Sequence, residues 1–221
     1  MIKTPSVAVH SGSAAVFAAE EFCREKGYEI EELYSLTDCA VAVENGKYDY
    51  FICDEYDSVS LGNFKVKYVE DCQYTSQYSL CFKSESAELC EQFNQTIKDL
   101  TDSGTFVKIS DSYKNGENYQ SDENIGNPLY ILFPEGMEGY SSLNDEGEAE
   151  GIEVDLITAV CHSLGYTPVF SCDQYDECFD ALINGEADIL LGVDYKSELG
   201  DDFIMSVPYF TVRYQVYTTN V

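Results

Sequence analysis

The feature that most constrains this chain is an internal repeat whose two copies lie too far apart for a solenoid, so the chain folds as two related lobes. In the first copy, Val16, Ala19, Phe22 and Cys23 recur at helical spacing from Ser13 onward, and the pattern stops at Gly27, a residue suited to the left-handed position after a helix end. Tyr28 to Ile30 then starts a strand. A second helical stretch, Thr37 to Glu44, stops at Asn45-Gly46, and Tyr48 to Cys53 reads as a buried strand that delivers Asp54-Glu55-Tyr56 to its C-terminal end. The second copy repeats this order. Val154, Ile157, Cys161 and Leu164 form a helix face ending at Gly165, Tyr166 to Phe170 forms a strand, and a helix over Tyr175 to Ile183 stops at Asn184-Gly185. Ala187 to Leu191 is the matching strand, and it delivers Val193-Asp194-Tyr195. Strands alternating with helices through short connections predict an α/β fold built from parallel βαβ units, whose ligands sit beyond the C-terminal strand ends.

Between the copies, Tyr78 to Phe82 reads as a strand. It is followed by an amphipathic helix from Ser84 or Ser86, with Leu89, Phe93, Ile97 and Leu100 inward and Gly104 at its end. Residues 115–127 are polar, with no apolar period, and read as a linker. A strand over Leu129 to Phe133 follows, then a loop through Gly136 and Gly139, and then a hairpin turn at Asn144-Asp145-Glu146-Gly147.

Charge narrows the choice of partner. Twelve basic against forty-one acidic side chains give a formal charge of −29, a field that repels phosphate backbones, so nucleic acid is excluded as a partner. No apolar run approaches the roughly eighteen residues of a membrane span, and the start lacks the basic-then-apolar pattern of a secretory signal. The nine cysteines mostly fall inside apolar runs, which suits buried reduced thiols, although a pairing such as Cys172 with Cys178 stays open. There is no CxxC pair, and neither histidine, His10 or His162, lies near a cysteine cluster, so no metal and no cofactor is expected.

Several fragments together carry a resemblance. Leu129 to Phe133, Glu146-Gly147, Gly151-Ile152-Glu153-Val154-Asp155-Leu156, Asn184-Gly185-Glu186-Ala187-Asp188-Ile189 and Ser206-Val207-Pro208-Tyr209-Phe210-Thr211 resemble the first lobe of the amino-acid-binding family of type 2 periplasmic solute-binding proteins. That family's second-lobe pattern comes earlier in this chain, as Val7 to Ser13, Glu44 to Asp49 and Cys53-Asp54-Glu55, and its closing helix resembles Leu89 to Ile109. The resemblance implies a two-lobed, venus-flytrap fold with its lobes in permuted order. Residues 1–70 would form the second-lobe-like unit, 71–114 a return strand and closing helix on the other lobe, 115–127 the linker and 128–221 the first-lobe-like unit. Two explanations fit the reversed order: a circular permutant, or a segment of a tandem array.

The resemblance also implies a function: an extracytoplasmic domain that binds a small polar ligand, amino-acid-like or amine-bearing, in the cleft between lobes. It would serve a membrane transporter or the membrane-anchored signalling part of a larger protein, with any signal or anchor outside this chain. No catalytic residue is expected. The alternative is an enzyme on the same fold, resembling those that dehydrate cyclic carboxylic acids, which would need an acid and a base from Asp54, Glu55 or Asp194.

Ser11-Gly12-Ser13, between a strand and a helix, offers amides and a hydroxyl to an anionic group, or else simply caps the helix. Asp54 matches the family's aspartate that receives a ligand ammonium. Glu55, Tyr56, Asp194 and Tyr195 lie on corresponding strand ends, and the family's aromatic after the first strand falls on Met137 with Tyr140 nearby. The chain departs from the family where an arginine would grip the ligand carboxylate, since the segment reads Asp194-Tyr195-Lys196-Ser197. Only Lys196, or Arg213 from another direction, can supply positive charge, so an ordinary α-amino acid would lack its bidentate partner.

Overall fold

The computed structural model describes residues 3–115, 126–135, 137 and 139–219, except for the side chains of 58–60. The proposed linker, 115–127, lies almost wholly outside the described residues, as does Gly136. The chain divides into two compact units. Unit 1 comprises Met1–Ser76 with Thr211–Val221, and unit 2 comprises Gln77–Phe210.

Unit 1 contains β1 (Ser6–His10), α1 (Ala15–Lys26), β2 (Glu29–Leu33), α2 (Leu36–Glu44) and β3 (Tyr50–Asp54). It also holds the first part of β4 (Lys67–Lys83), and most of β11 (Phe210–Thr218) lies in it too. Strand β1 pairs in parallel with both β2 and β3, and β11 runs antiparallel on the far side of β3. With the usual right-handed crossovers, the order β2-β1-β3 puts α1 and α2 on opposite faces. Their ends are set locally. Gly27, at a φ of 71°, closes α1 with Tyr28 N–H donating to Cys23 O. Ser35 Oγ caps α2 by accepting from Asp38 N at 3.1 Å while donating to the Asp38 carboxylate. Cys39, Ala40, Val43, Phe51, Cys53 and Tyr217 form the core.

Unit 2 contains the rest of β4, α3 (Ala87–Asp102), α4 (Thr105–Lys114), β5 (Asn127–Pro134), the hairpin β6 (Ser142–Leu143) and β7 (Ala149–Glu150), and α5 (Ile152–Ser163). It continues with β8 (Tyr166–Asp173), α6 (Tyr175–Asn184), β9 (Ile189–Asp194) and β10 (Phe203–Met205). Strand β5 is parallel to β8 and β9, β4 is antiparallel to β9, and β10 pairs with β4. The order β8-β5-β9-β4 reproduces β2-β1-β3-β11 of unit 1, so the repeat read from the sequence is a repeat of topology. Cys81, Leu132, Cys178, Leu182, Leu190 and Val193 form one core, and α3, α4 and α5 pack on one another.

The structure extends or shifts some sequence expectations. Residues 211–221, read with the 128–221 lobe, belong to unit 1, because β11 leaves unit 2 and pairs with β3 through Tyr214, Gln215, Val216 and Tyr217. Strand β4 is seventeen residues long rather than the five of Tyr78–Phe82. Gly104, at a φ of 76°, does more than end α3: it turns the chain directly into α4, which was not foreseen as a separate helix. No cysteine is joined in a disulfide, and eight of the nine are buried. Burial pushes the Cys39, Cys81 and Cys161 thiols up to about 12, so they behave as small apolar groups. No described helix is long and apolar enough to cross a membrane.

Candidate functional site

In unit 1, the parallel register of Val9 with Ile52 brings Ser11 and Asp54 to the same C-terminal sheet edge. The Ser11-Gly12-Ser13 turn differs from the outward-facing anion cradle expected from sequence. Ser11 N donates to Leu33 O, and Ser11 Oγ donates to Glu32 Oε2 at 2.6 Å. Ser13 Oγ donates back to His10 O at 2.7 Å, so it does not cap α1, whose N-cap residue is Ala14. The turn satisfies its own hydroxyls because the strand end and the neighbouring β2 supply acceptors first. Gly12, at a φ of 78°, needs glycine for its backbone alone, since a Cβ there would meet open space.

Asp54 and Glu55 are both buried at this edge. Asp54 Oδ1 accepts from Tyr56 N at 2.8 Å and Asp57 N at 2.7 Å, which starts the 3-10 turn over Asp57–Asn63 and fixes the carboxylate in one orientation. The Asp57 carboxyl is hydrogen-bonded to Asp54. Although Asp57 as a residue is exposed, its carboxyl is pushed up to about 7, first by the protein atoms crowding it and then by the Asp54 charge. Glu55 is held by Arg213. Its Oε1 accepts from Arg213 N at 3.3 Å, and its Oε2 lies 3.9 Å from Arg213 Nη1. Arg213, considered from sequence as a grip for a ligand carboxylate, has a largely exposed guanidinium that makes only a long contact with Glu55. Tyr56 is half-buried beside them.

In unit 2, the corresponding edge carries Asp194, Tyr195 and Lys196. Asp194 Oδ1 accepts from Lys196 N at 2.7 Å, Asp194 O accepts from Ser197 N, and Tyr195 N donates to Gln77 O at 2.8 Å. These bonds hold the turn while leaving the Tyr195 and Lys196 side chains exposed. Tyr140 lies on a different segment, the loop after β5, with its ring edge-on to Phe210 at 5.7 Å between centroids.

Sequence reading missed two features of unit 2. The first is an open pocket of about 950 Å³ at the C-terminal ends of β5 and β8, lined by Phe133, Glu135, Ser141, Leu143, Glu150 and Cys172 among others. The second is Glu153, wholly buried in the first turn of α5. Tyr209 Oη donates to its Oε1 at 2.5 Å and Ser141 Oγ to its Oε2 at 3.4 Å, while Tyr209 Oη accepts from Gly192 N at 3.1 Å. Burial pushes Glu153 up to about 7 against the opposing pull of the two hydroxyl donors. A sequence signal existed: Glu153 stands at the head of the buried stripe Leu156, Ile157 and Val160, at the spacing of a core-facing position.

Among the described residues no group of three or more His, Cys, Asp or Glu side chains is placed to hold a metal ion. Comparison with known proteins gives these edges a context. Residues 130–220 match the family described as bacterial extracellular solute-binding proteins, family 3. A probable histidine-binding protein of Neisseria gonorrhoeae is 34% identical over 74 residues, a stretch that is 33% of this chain and 28% of that protein's length. Among solved structures, the second substrate-binding domain of Lactococcus lactis GlnP in its open conformation has a TM-score of 0.52 at 12% identity, with 99% of this chain and 82% of that chain covered. The second substrate-binding domain of a putative amino acid ABC transporter from Streptococcus pneumoniae also has a TM-score of 0.52, at 14% identity, covering 97% of this chain and 85% of that one. Residues 130–220 are thus similar to the bacterial extracellular solute-binding proteins of family 3, and the chain as a whole shares the α/β fold of solved substrate-binding domains of type 2.

Proposed function

We propose that this chain is an extracytoplasmic solute-binding domain that captures a small amine-bearing or amino-acid-like molecule, for uptake or for sensing. The observation that carries the amine preference is Asp54: a buried carboxylate at a parallel sheet edge, one oxygen fixed by two backbone amides, is a preorganised acceptor for an ammonium group. The anion side of the site is weaker. The charge of Arg213 is partly offset by Glu55 at 3.9 Å, and Lys196, on its exposed turn, offers a point charge without a planar fork. A second carboxylate on the ligand would add repulsion from Asp54, Glu55 and Asp194. Ligands that join an amine to a neutral or weakly anionic group should therefore outcompete acidic amino acids, a preference compatible with the histidine named for the Neisseria relative.

A thermal-shift panel of L-histidine, L-arginine, L-glutamine, putrescine and L-glutamate tests this reading, since a ligand at about a hundred times its Kd adds roughly 2.7 kcal/mol to native stability. The four compounds without a second carboxylate should raise the melting temperature and L-glutamate should not. A response to L-glutamate alone, or to none of the five, overturns the proposal.

A further inference from the structure

Glu153 connects four segments of unit 2. It belongs to α5 and takes the Tyr209 hydroxyl from the segment leading into β11 and the Ser141 hydroxyl from the loop after β5. Through Tyr209 it reaches the Gly192 amide in β9. Two of these contacts bear on the candidate site. Gly192, at a φ of 77°, breaks the extended run of β9 two residues before Asp194. Ser141, whose N–H donates to Met137 O, closes the loop that presents Tyr140. Resting on the function proposed above, we infer that Glu153 is a positioning residue. Its carboxyl sets the aim of the Asp194–Lys196 turn and of the Met137–Ser141 loop, and its protonation state couples that aim to pH.

The chemistry follows from the donors present. The ionised carboxylate accepts from both hydroxyls. The protonated acid has a hydrogen of its own to donate, and the oxygens already bonded to it are those of Tyr209 and Ser141, so we infer that one of the two bonds reverses direction. The 3.4 Å bond from Ser141 is the weaker and is the one that turns. The groups that act on Glu153 from the packed elements are the Tyr209 phenol and the Ser141 hydroxyl. Tyr209 in turn receives the Gly192 amide and feels the neighbouring Tyr78. No lysine or arginine among the described residues forms an ion pair with Glu153, and burial brings its titration up to about 7, where both forms are populated.

The test uses the full chain carrying 13C-labelled glutamate carboxyls, with Glu153→Gln to assign the signal. The Glu153 carboxyl should titrate near 7, and the backbone amides of Gly192, Tyr195 and Lys196 should shift with the same midpoint. In Glu153→Gln that midpoint should vanish from the amides. Tyr209→Phe, which keeps the ring but removes a donor to the carboxylate, should move the carboxyl midpoint further up. Amides that ignore the Glu153 titration, or a carboxyl that titrates below 5, overturn the inference whether or not any ligand binds. A parallel arm measures L-arginine affinity from pH 5.5 to 7.5, a range in which that ligand keeps its charge. A pH dependence of affinity that weakens in Glu153→Gln extends the inference to binding, the part that remains belonging to Asp57 beside Asp54. Parent protein that binds none of the panel while the amides still follow Glu153 removes the proposed ligand class but leaves the positioning role standing.

Discussion

Gly151 separates the β6–β7 hairpin from α5 at a φ of 124° and ψ of 165°, a conformation open almost only to glycine. A Cβ added there would lie 2.2 Å from Tyr140 O and 2.6 Å from Tyr140 C, both backbone atoms that cannot swing aside. The same Tyr140 carbonyl accepts the Glu153 N–H at 2.9 Å, so this close approach satisfies one of the orphan amides at the start of α5. Gly151→Ala should therefore suffer twice. Backbone strain contributes about 1–3 kcal/mol, and forced separation of two packed segments contributes a similar amount, for a total loss of about 4 kcal/mol. Equilibrium urea unfolding should show the midpoint falling by more than 1 M at unchanged slope, given slopes of about 1–3 kcal/mol/M. A loss under about 1 kcal/mol would refute the reasoning, because it would mean that the Tyr140 carbonyl moves aside freely and does not lock the head of α5.

Thiol titration of the denatured, unreduced protein should recover all nine cysteines, and recovery of far fewer would show disulfides that the structure does not contain. Glu153 also leaves a signature in stability against pH. Its folded pKa, about 7, lies above the ordinary 4.5, so the native state holds the extra proton between those values and stability falls as pH rises through that window. Subtracting the profile of Glu153→Gln, which keeps the contributions of Asp57 and Asp155, should isolate a decline of about 3 kcal/mol between pH 4.5 and 8. A flat difference would contradict the burial of an uncompensated carboxyl.

Helix ends were the most legible part of the fold, because Gly27 and Gly185 sit in the left-handed conformation and their backbone bonds follow from local chemistry alone. The long β4 was not legible. Its first half is mostly exposed or half-buried and keeps no regular alternation, with Val69 exposed and Cys72 buried, and it is a strand through long-range partners such as the bond between the Ser76 and Tyr214 hydroxyls. At the candidate site, sequence located the strand ends that carry Asp54 and Asp194, since topology fixes which residues reach a C-terminal edge. It did not show where polar groups spend their hydrogen bonds. Ser13 turning back to His10, Arg213 meeting Glu55 and Glu153 gathering Tyr209 and Ser141 all join residues across turns or between distant segments, and no local pattern encodes them.

Titration calorimetry with L-histidine on the parent and on Asp54→Asn tests the central claim most directly, because asparagine keeps the Oδ1 acceptor for the Tyr56 and Asp57 amides while removing the charge and replacing the second oxygen with an amide nitrogen. The account predicts binding by the parent and a loss of about 1.5–3 kcal/mol in the variant, the range for a hydrogen bond to a charged group, with folding retained. Equal affinity in the two proteins, or tighter binding of L-glutamate than of L-histidine by the parent, would contradict it.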